Sequence, residues 1–374
     1  MAFLNVLCHF AEFGHKVTII AVRSNKISKP ENSKLRIISV PMRPIPFILP
    51  VMFMICMLIY LPFFIAISSP DFIIMDPYVH ILSAFPQILI SKIKKIKSVL
   101  DVRSVPVEII GFRGWLVKFW FNVSIFVSKK FFDGMTILTK LMRDDVCNTF
   151  NINPCSVGVW PSGVDTEFFN PVKHAAKGIS LKKRLGLSDR FVVFYHGVIT
   201  ATRGIEEIVE SIKVLKHEYP EIMLFLLGAG SAVSKLRQII HVEGLQNYVI
   251  IHDPVEYVDV PKFISMSDVG LVPLPNHPYW RFQSPLKLLE YLAMEKVVVL
   301  TDIPAHRVIV GEAKCGIYFS SREPMEIAEV IKYAYLNRDT LKERGQLGRE
   351  IVKREYDWEK VAKSLENYIL SINN

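Results

Sequence analysis

Two doubly wound α/β units in succession are what this sequence predicts, and three observations predict them. Short β-branched runs alternate with longer helical patterns from Lys16 onward, as in parallel sheets covered by helices on both faces. The runs fall into two series of six, separated by a stretch rich in turn and basic residues. Hydrophobic residues make up 51% of the 374 and charged residues 22%, which supports two cores and excludes global disorder.

The chain opens on a helical pattern, AFLNVLCHFAEFGHK, that runs into the strand VTIIAV. A doubly wound unit ordinarily opens with a strand, a turn and a helix, so the first strand and its loop are expected to be absent. A mis-set start, a fragment and a decayed enzyme all fit that expectation. VTIIAV, LRIISV, FIIM, SVLDV, MTIL and SVGVW then read as strands of one unit. The stretch 161–190 carries a Gly turn, two Pro residues and the basic segment KHAAKGISLKKR, so the inter-domain linker is expected there. FVVFYHG, IMLFLLG, YVIIHD, VGLVPL, VVVLTD and CGIYF read as strands of a second unit. A last helix from Trp358 lies beyond them and can pack on either unit. The expected domains are therefore 1–170, 171–355 and a closing helix, 356–374.

Charge is unevenly spread. Residues 1–130 hold 16 Lys/Arg and 6 Asp/Glu, a net of +10, while the whole chain carries +9. Between Arg43 and Asp71 lie 27 residues without a charge, long enough for a membrane span. Pro50 and Pro62 argue against one straight helix there. The flanking runs KLRIISV and DFIIM read as strands, and if they share a sheet a single crossing would part them across the bilayer. A second stretch, Gly114–Phe132, is crowded with Trp, Phe and Lys, like helices that lie in the headgroup region. Lys92, Lys94, Lys95 and Lys97 add a cluster suited to anionic lipid. Three readings stand: monotopic attachment at the cytoplasmic face, burial of both stretches as ordinary core, and a true span. Nucleic acid is a weaker partner, because the basic residues alternate with apolar rather than polar surface. Residues 1–13 lack the basic start of a cleavable signal peptide. Five scattered cysteines without a C-x-x-C pair suit a reducing compartment and argue against a zinc site.

The strongest chemical signal is Ser284-Pro285-Leu286-Lys287-Leu288-Leu289-Glu290. Ser284 is expected as a helix cap and Pro285 at the first helical position. The first-turn amides would then point to the mouth of the sheet, where such a start attracts phosphate. Lys287 adds a full charge beside it, and Glu290, one turn on, can accept hydrogen bonds from a ribose diol. A second phosphate candidate is the turn after FVVFYH: Gly197 permits close backbone approach, and Arg203 can meet a diphosphate bidentately. The glycines of Leu227-Gly228-Ala229-Gly230 mark a third turn at the same edge. Each turn alone reads as packing; three together point to a nucleotide. In the first unit, Asp76 and His80 follow one strand and Asp101 and Arg103 another, which makes them candidates for the acceptor side. His80 also reads as an ordinary loop residue, Asp101 and Arg103 as a surface pair. His306 and Arg307 read as helix caps. The histidines show no metal-ligand spacing.

HG…TRG, LLGAGS, MSDVGLVPL, SPLKLLEYLAMEKVVVLTDIPAHR and YDWEKVAKSLENYI resemble the C-terminal domain of retaining nucleotide-sugar glycosyltransferases of family 4, group 1. FGHKVTII, DGMTILTKLMRDDV and VWPSGVDTEFFNP resemble the same family's N-terminal half. The resemblance implies the GT-B fold, two Rossmann-like units facing across a cleft. It implies sugar transfer from a nucleotide-sugar donor with retention at the anomeric carbon, no metal or other cofactor, and a last helix returning to the first domain. It implies that Arg203 and Lys287 neutralise the departing diphosphate with backbone help from Ser284, Pro285 and Leu286, and that Glu290 holds the ribose. His252, Asp253, Pro254 and Val255 would lie beside the base, and Gly163, Val164 and Asp165 in the inter-domain turn. The chain departs from the family pattern at Phe282, where a donor-contacting Glu is usual, and at Val198, where an Arg is common.

The expected partners are a nucleotide sugar, a membrane-lipid or glycan acceptor and an anionic membrane surface. Paired carboxylates of the glycosidase kind are missing from the motifs. The alternatives are a non-catalytic nucleotide-sugar-binding scaffold and a sugar-nucleotide epimerase of the same architecture.

Overall fold

The computed structural model describes residues 2–22, 34–40, 48–106 and 111–372. Its contacts divide the chain into two compact units, one of residues 1–162 with 358–374, the other of residues 163–357.

In the first unit, α1 (Ala2–Glu12) precedes β1 (Val17–Val22) and β2 (Leu35–Val40), which pair in parallel. Next come α2 (Ile48–Ser68), β3 (Phe72–Met75), α3 (Ala84–Lys94), β4 (Lys97–Val102), α4 (Gly111–Phe131), β5 (Gly134–Ile137), α5 (Lys140–Phe150) and β6 (Val157–Val159). Strands β3–β4–β5–β6 form a four-stranded parallel sheet. The six runs read as strands of this unit thus fall into two sheets: among the described residues no ladder joins β1 to β3. Strands of one sheet must lie about 4.8 Å apart; here shared apolar packing replaces pairing. Val17 of β1 and Phe72 and Ile74 of β3 all pack on the cluster of Val6, Phe10, Trp160 and the C-terminal helix Trp358–Ser371.

Helix α2 is a correction. It runs unbroken through both prolines. Pro50 falls in the first turn, where the missing N–H has no intrahelical partner to lose, while Pro62 sits in the interior.

The second unit holds one six-stranded parallel sheet. Its strands are β7 (Phe191–His196), β8 (Ile222–Leu227), β9 (Val249–His252), β10 (Val269–Val272), β11 (Val297–Thr301) and β12 (Gly316–Phe319), in the order β12–β11–β10–β7–β8–β9. Nearly every residue of β7, β8, β10 and β11 is buried, as central strands of a parallel sheet require. Separate apolar clusters fill the two faces. One contains the helix Leu286–Ala293, the other the helix Ile205–Leu215. The chain thus turns to opposite faces after β7 and β10, and the crevice between those neighbouring strands is where open α/β sheets take ligands.

The middle of the expected linker is instead a helix of this unit. Pro171–Arg184 is capped by Asn170, whose Oδ1 accepts from Val172 N at 3.1 Å. It packs on the helix Val260–Met266, with Gly178 lying so close to Ser265 that no larger residue fits.

Candidate functional site

The second unit brings the strongest candidates together at the carboxyl edge of β7 and β10. Gly197 follows β7 with a φ of +119°, and a side chain there would meet Lys287 Nζ at 3.4 Å. Gly228 follows β8; a Cβ would lie 1.9 Å from the Gly197 carbonyl oxygen. The glycine of this third turn is thus demanded by the neighbouring turn, a packing role. Backbone bonds extend the line outward: Gly197 N donates to Leu227 O and Gly228 N to His252 O, each at 2.9 Å.

The helix Leu286–Ala293 starts one residue later than expected. Pro285, not Ser284, occupies the cap position, and no side chain caps it. Proline suits this place because it has no N–H to satisfy and holds φ at −72°. Ser284 is buried just before it. Lys287 consequently sits in the first turn, beside the amides that a helix start leaves without intrahelical partners.

Lys287 is the most telling side chain of the molecule. Its Nζ is buried, lies 3.8 Å from the centre of the Tyr195 ring, and has no hydrogen-bond acceptor among the described residues. Burial, and then the neighbouring Arg203 guanidinium, push its ammonium well below the ordinary lysine range, against a smaller pull from Glu290. Tyr195 is itself pushed up to about 12 by burial, and its hydroxyl donates to Val198 O at 2.7 Å. Arg203 ends a short 3-10 turn and lies 5.0 Å over the Trp280 ring, whose Nε1 donates to Thr202 O at 3.2 Å. A buried ammonium without a partner is costly. An anion entering between Lys287, Arg203 and the helix start would remove that cost.

Glu290 is buried one turn further on. Its Oε1 accepts from the Tyr257 hydroxyl at 2.9 Å. His196 Nε2 stands 3.1 Å from its other oxygen, at an angle that makes no hydrogen bond. Burial, then the Glu290 charge, raise the Tyr257 phenol well above its ordinary range. Tyr257 also stacks on Phe168. Sequence reasoning missed Tyr257 and Trp280. Tyr257 is 33 residues from Glu290, and no local pattern marks that meeting. His252, Asp253, Pro254 and Val255 leave the end of β9; the His252 ring stacks on Phe225, and Asp253 and Pro254 are exposed.

The first-unit candidates are arranged differently. Asp101 is buried and accepts from Thr136 Oγ1 at 2.8 Å and Trp160 Nε1 at 2.9 Å. Arg103 lies 3.5 Å over the Trp160 ring and donates to Trp160 O at 2.7 Å. Burial lowers Arg103 to about 10, with Asp101 opposing. The reading of Asp101 and Arg103 as a surface pair is corrected: Asp101 is buried, and Arg103 is partly buried and held against Trp160. Asp76 is exposed after β3. His80 lies in the 3-10 segment Tyr78–Ser83, and its side chain is outside the described residues. His306 is fully buried rather than a surface cap. Its Nδ1 pairs with Thr301 O, and burial lowers it to about 4. Arg307 grips Asp302 through two bonds of 2.7 Å. Among the described residues no three His, Cys, Asp or Glu are grouped to hold a metal ion.

The family model described as glycosyl transferases group 1 matches residues 179–351, and that described as Glycosyltransferase Family 4 matches residues 2–168. This chain belongs to the group 1 glycosyltransferases. It is 25% identical over 240 residues to a D-inositol 3-phosphate glycosyltransferase of Xylanimonas cellulosilytica, a match covering 62% of this chain and 55% of that protein. It is 23% identical over 239 residues to a GDP-mannose-dependent alpha-(1-6)-phosphatidylinositol monomannoside mannosyltransferase of Mycobacterium tuberculosis, covering 63% and 61%. The match therefore spans little more than half the length of these curated relatives. A solved glycosyltransferase from Rickettsia africae ESF-5 aligns with all of this chain and 94% of its own, with a TM-score of 0.78 and 17% identity. That likeness places the group 1 chain in the GT-B fold class.

Proposed function

We propose that this chain transfers a sugar from a nucleotide-sugar donor to a membrane-lipid or glycan acceptor, with retention at the anomeric carbon. The buried, unpartnered Lys287 ammonium beside Arg203 and a helix start carries the reading. It is a preformed seat for the charge that grows on a departing diphosphate. Glu290 is proposed to take the ribose, held in place by Tyr257. His252 through Val255 are placed near the base. Lys287, Arg203 and the first helix amides supply the positive charge for departure, so no metal is assigned to this step. The leaving phosphate then helps to deprotonate the acceptor hydroxyl. Asp76, His80, Asp101 and Arg103 belong to the acceptor-side unit in this reading. The names of the two curated relatives, one acting with GDP-mannose on a phosphatidylinositol mannoside, support the donor and acceptor classes. The same reading puts the chain peripherally on the cytoplasmic face of a membrane, in keeping with an 18-residue apolar window in α2 that is 11% buried.

Incubating the purified chain with a panel of radiolabelled nucleotide sugars and a lipid extract tests the activity. Transfer from one donor is expected, with the anomeric coupling of the product matching that of the donor. Binding of a nucleoside diphosphate without any transfer would favour the scaffold alternative, to which Phe282 lends weight by standing where the family usually has a Glu. The absence of both binding and transfer sinks the assignment.

A further inference from the structure

The exposed side of the first unit carries apolar stripes that its core does not use. On α2, Ile55, Ile59, Phe63 and Ile67 recur every four residues and are all exposed, Ile67 to 85%. On α3, Phe85, Leu89 and Ile93 repeat the spacing, with Ile93 83% exposed. On α4, Phe112, Trp115 and Phe119 stack along the surface at 5.5–5.8 Å. Residues four apart share a helix face, so each stripe is one continuous outward surface. The three helices meet: a groove is lined by Leu58 of α2, Phe85 and Leu89 of α3, and Phe131 of α4. Lys92 stands at its rim, 5.6 Å over the Phe131 ring. Together the helices carry six Lys or Arg residues and no Asp or Glu.

We propose that α2, α3 and α4 form one platform that docks in the plane of an anionic lipid surface. This deepens the peripheral placement within the reading above by naming the surface and its partner. Exposed aliphatic and aromatic stripes rimmed by lysines match a bilayer interface, where stems enter the apolar layer and ammonium groups reach the headgroups. A second copy of this chain is a poor occupant, because it would bring six cations against six.

The fold also opposes a span. At 1.5 Å per residue α2 is roughly 31 Å long. Its neighbours in sequence both return to α1: Leu35 of β2 packs with Leu7 and Ala11, and Phe72 and Ile74 of β3 pack with the cluster around Val6 and Phe10. Seven residues, 41–47, separate β2 from α2. They reach at most about 25 Å, too short to recross the hydrocarbon layer. At the other end Lys94 Nζ donates to Ala66 O and Ser69 Oγ, tying α3 to the last turn of α2.

Flotation of the purified full chain with phosphatidylcholine vesicles, with and without phosphatidylglycerol, tests the proposal. Binding to the anionic vesicles at low salt is expected, weakening as salt rises. Replacing Lys92, Lys95, Lys118 and Lys130 with Gln should lower partitioning several-hundred-fold, about fivefold per lysine, without changing partitioning on neutral vesicles. Ile59→Asn with Phe63→Asn, both exposed, should abolish binding to both vesicle types at an unchanged melting temperature. A wild-type chain that stays soluble beside anionic vesicles overturns the proposal. So does a wild-type oligomer that the Ile59/Phe63 variant makes monomeric, which assigns the face to a second copy. Retention after alkaline carbonate overturns the in-plane arrangement. Nucleoside diphosphate binding, measured on the same preparations, separates the two ideas. Donor binding without flotation overturns the platform alone, and flotation without donor binding overturns only the assignment of the site.

Discussion

Each unit holds a cation drawn from solvent over an aromatic ring, Arg103 in the first and Lys287 in the second, and the two differ in a way that separates structure from chemistry. Arg103 lies 3.5 Å over Trp160, donates to that residue's carbonyl and has the Asp101 carboxylate nearby. Lys287 lies 3.8 Å over Tyr195 and has no acceptor among the described residues, and the Arg203 charge repels it. The first arrangement is complete and stabilises the fold. The second is incomplete, and in the proposed reading an entering diphosphate would complete it. A buried charge that the protein leaves unpaired is a marker of function because selection for stability alone would remove it.

The comparison is broken or upheld first by stability. Arg103→Met should destabilise the first unit by about 3 kcal/mol. It loses a desolvated cation–π contact and a hydrogen bond, and it strips a buried carboxylate of its countercharge. Urea unfolding with a probe on Trp160 reads this directly. Donor binding in folded Arg103→Met should match wild type. A loss below 1 kcal/mol would show that Arg103 is dispensable to the fold and free for the acceptor role.

Lys287→Met should do the reverse. Stability should hold or rise, since a buried unpaired charge is removed, while affinity for inorganic diphosphate falls about thirtyfold to a hundredfold. That is the loss of a charge-assisted bond of ~2–3 kcal/mol. pH sharpens the contrast. Lys287 titrates below the ordinary lysine value in the free protein, so an increasing share of the amine is neutral as pH rises toward 10.5. Diphosphate affinity of the wild type should fall over that range, and the Met variant should lose this dependence on Lys287. Arg203→Ala comes next, at roughly tenfold in calorimetric diphosphate affinity, because a half-exposed guanidinium is partly screened by solvent. Wild-type affinity in both variants removes the anion seat altogether.

Much of this was readable in the chain. The β-branched runs named all twelve strands closely and the Gly and Pro punctuation named their turns, since parallel strands buried on both faces need such runs. Lys287, Arg203 and Glu290 were legible because a helix start after a buried strand is a local event. The errors were of two kinds. Asn170-Pro171 is a good helix start, and the basic residues that followed it masked Gly178 and Leu181, which bury the helix. Other features had no local signal: the meeting of Tyr257 with Glu290, the Trp160 ring under Arg103, and the split between β1 and β3 are decided by residues tens of positions apart.

Glu290 gives the smallest effect and the finest discrimination. Its carboxylate already accepts the Tyr257 hydroxyl, so the proposed ribose diol would share it, and one oxygen faces His196 rather than a donor in good geometry. Glu290→Gln replaces an ionised acceptor by a neutral amide of the same shape and should weaken nucleoside diphosphate binding about fivefold to tenfold. Inorganic diphosphate, which has no ribose, should bind as before. Tyr257→Phe leaves the carboxylate charge in place and removes only its orienting bond, worth ~1 kcal/mol, so a loss of about fivefold confined to the nucleotide is expected. Titration calorimetry with the two ligands on the two variants gives four numbers. Equal losses for both ligands in Glu290→Gln would mean that Glu290 acts on Lys287 through its charge and not on the ribose.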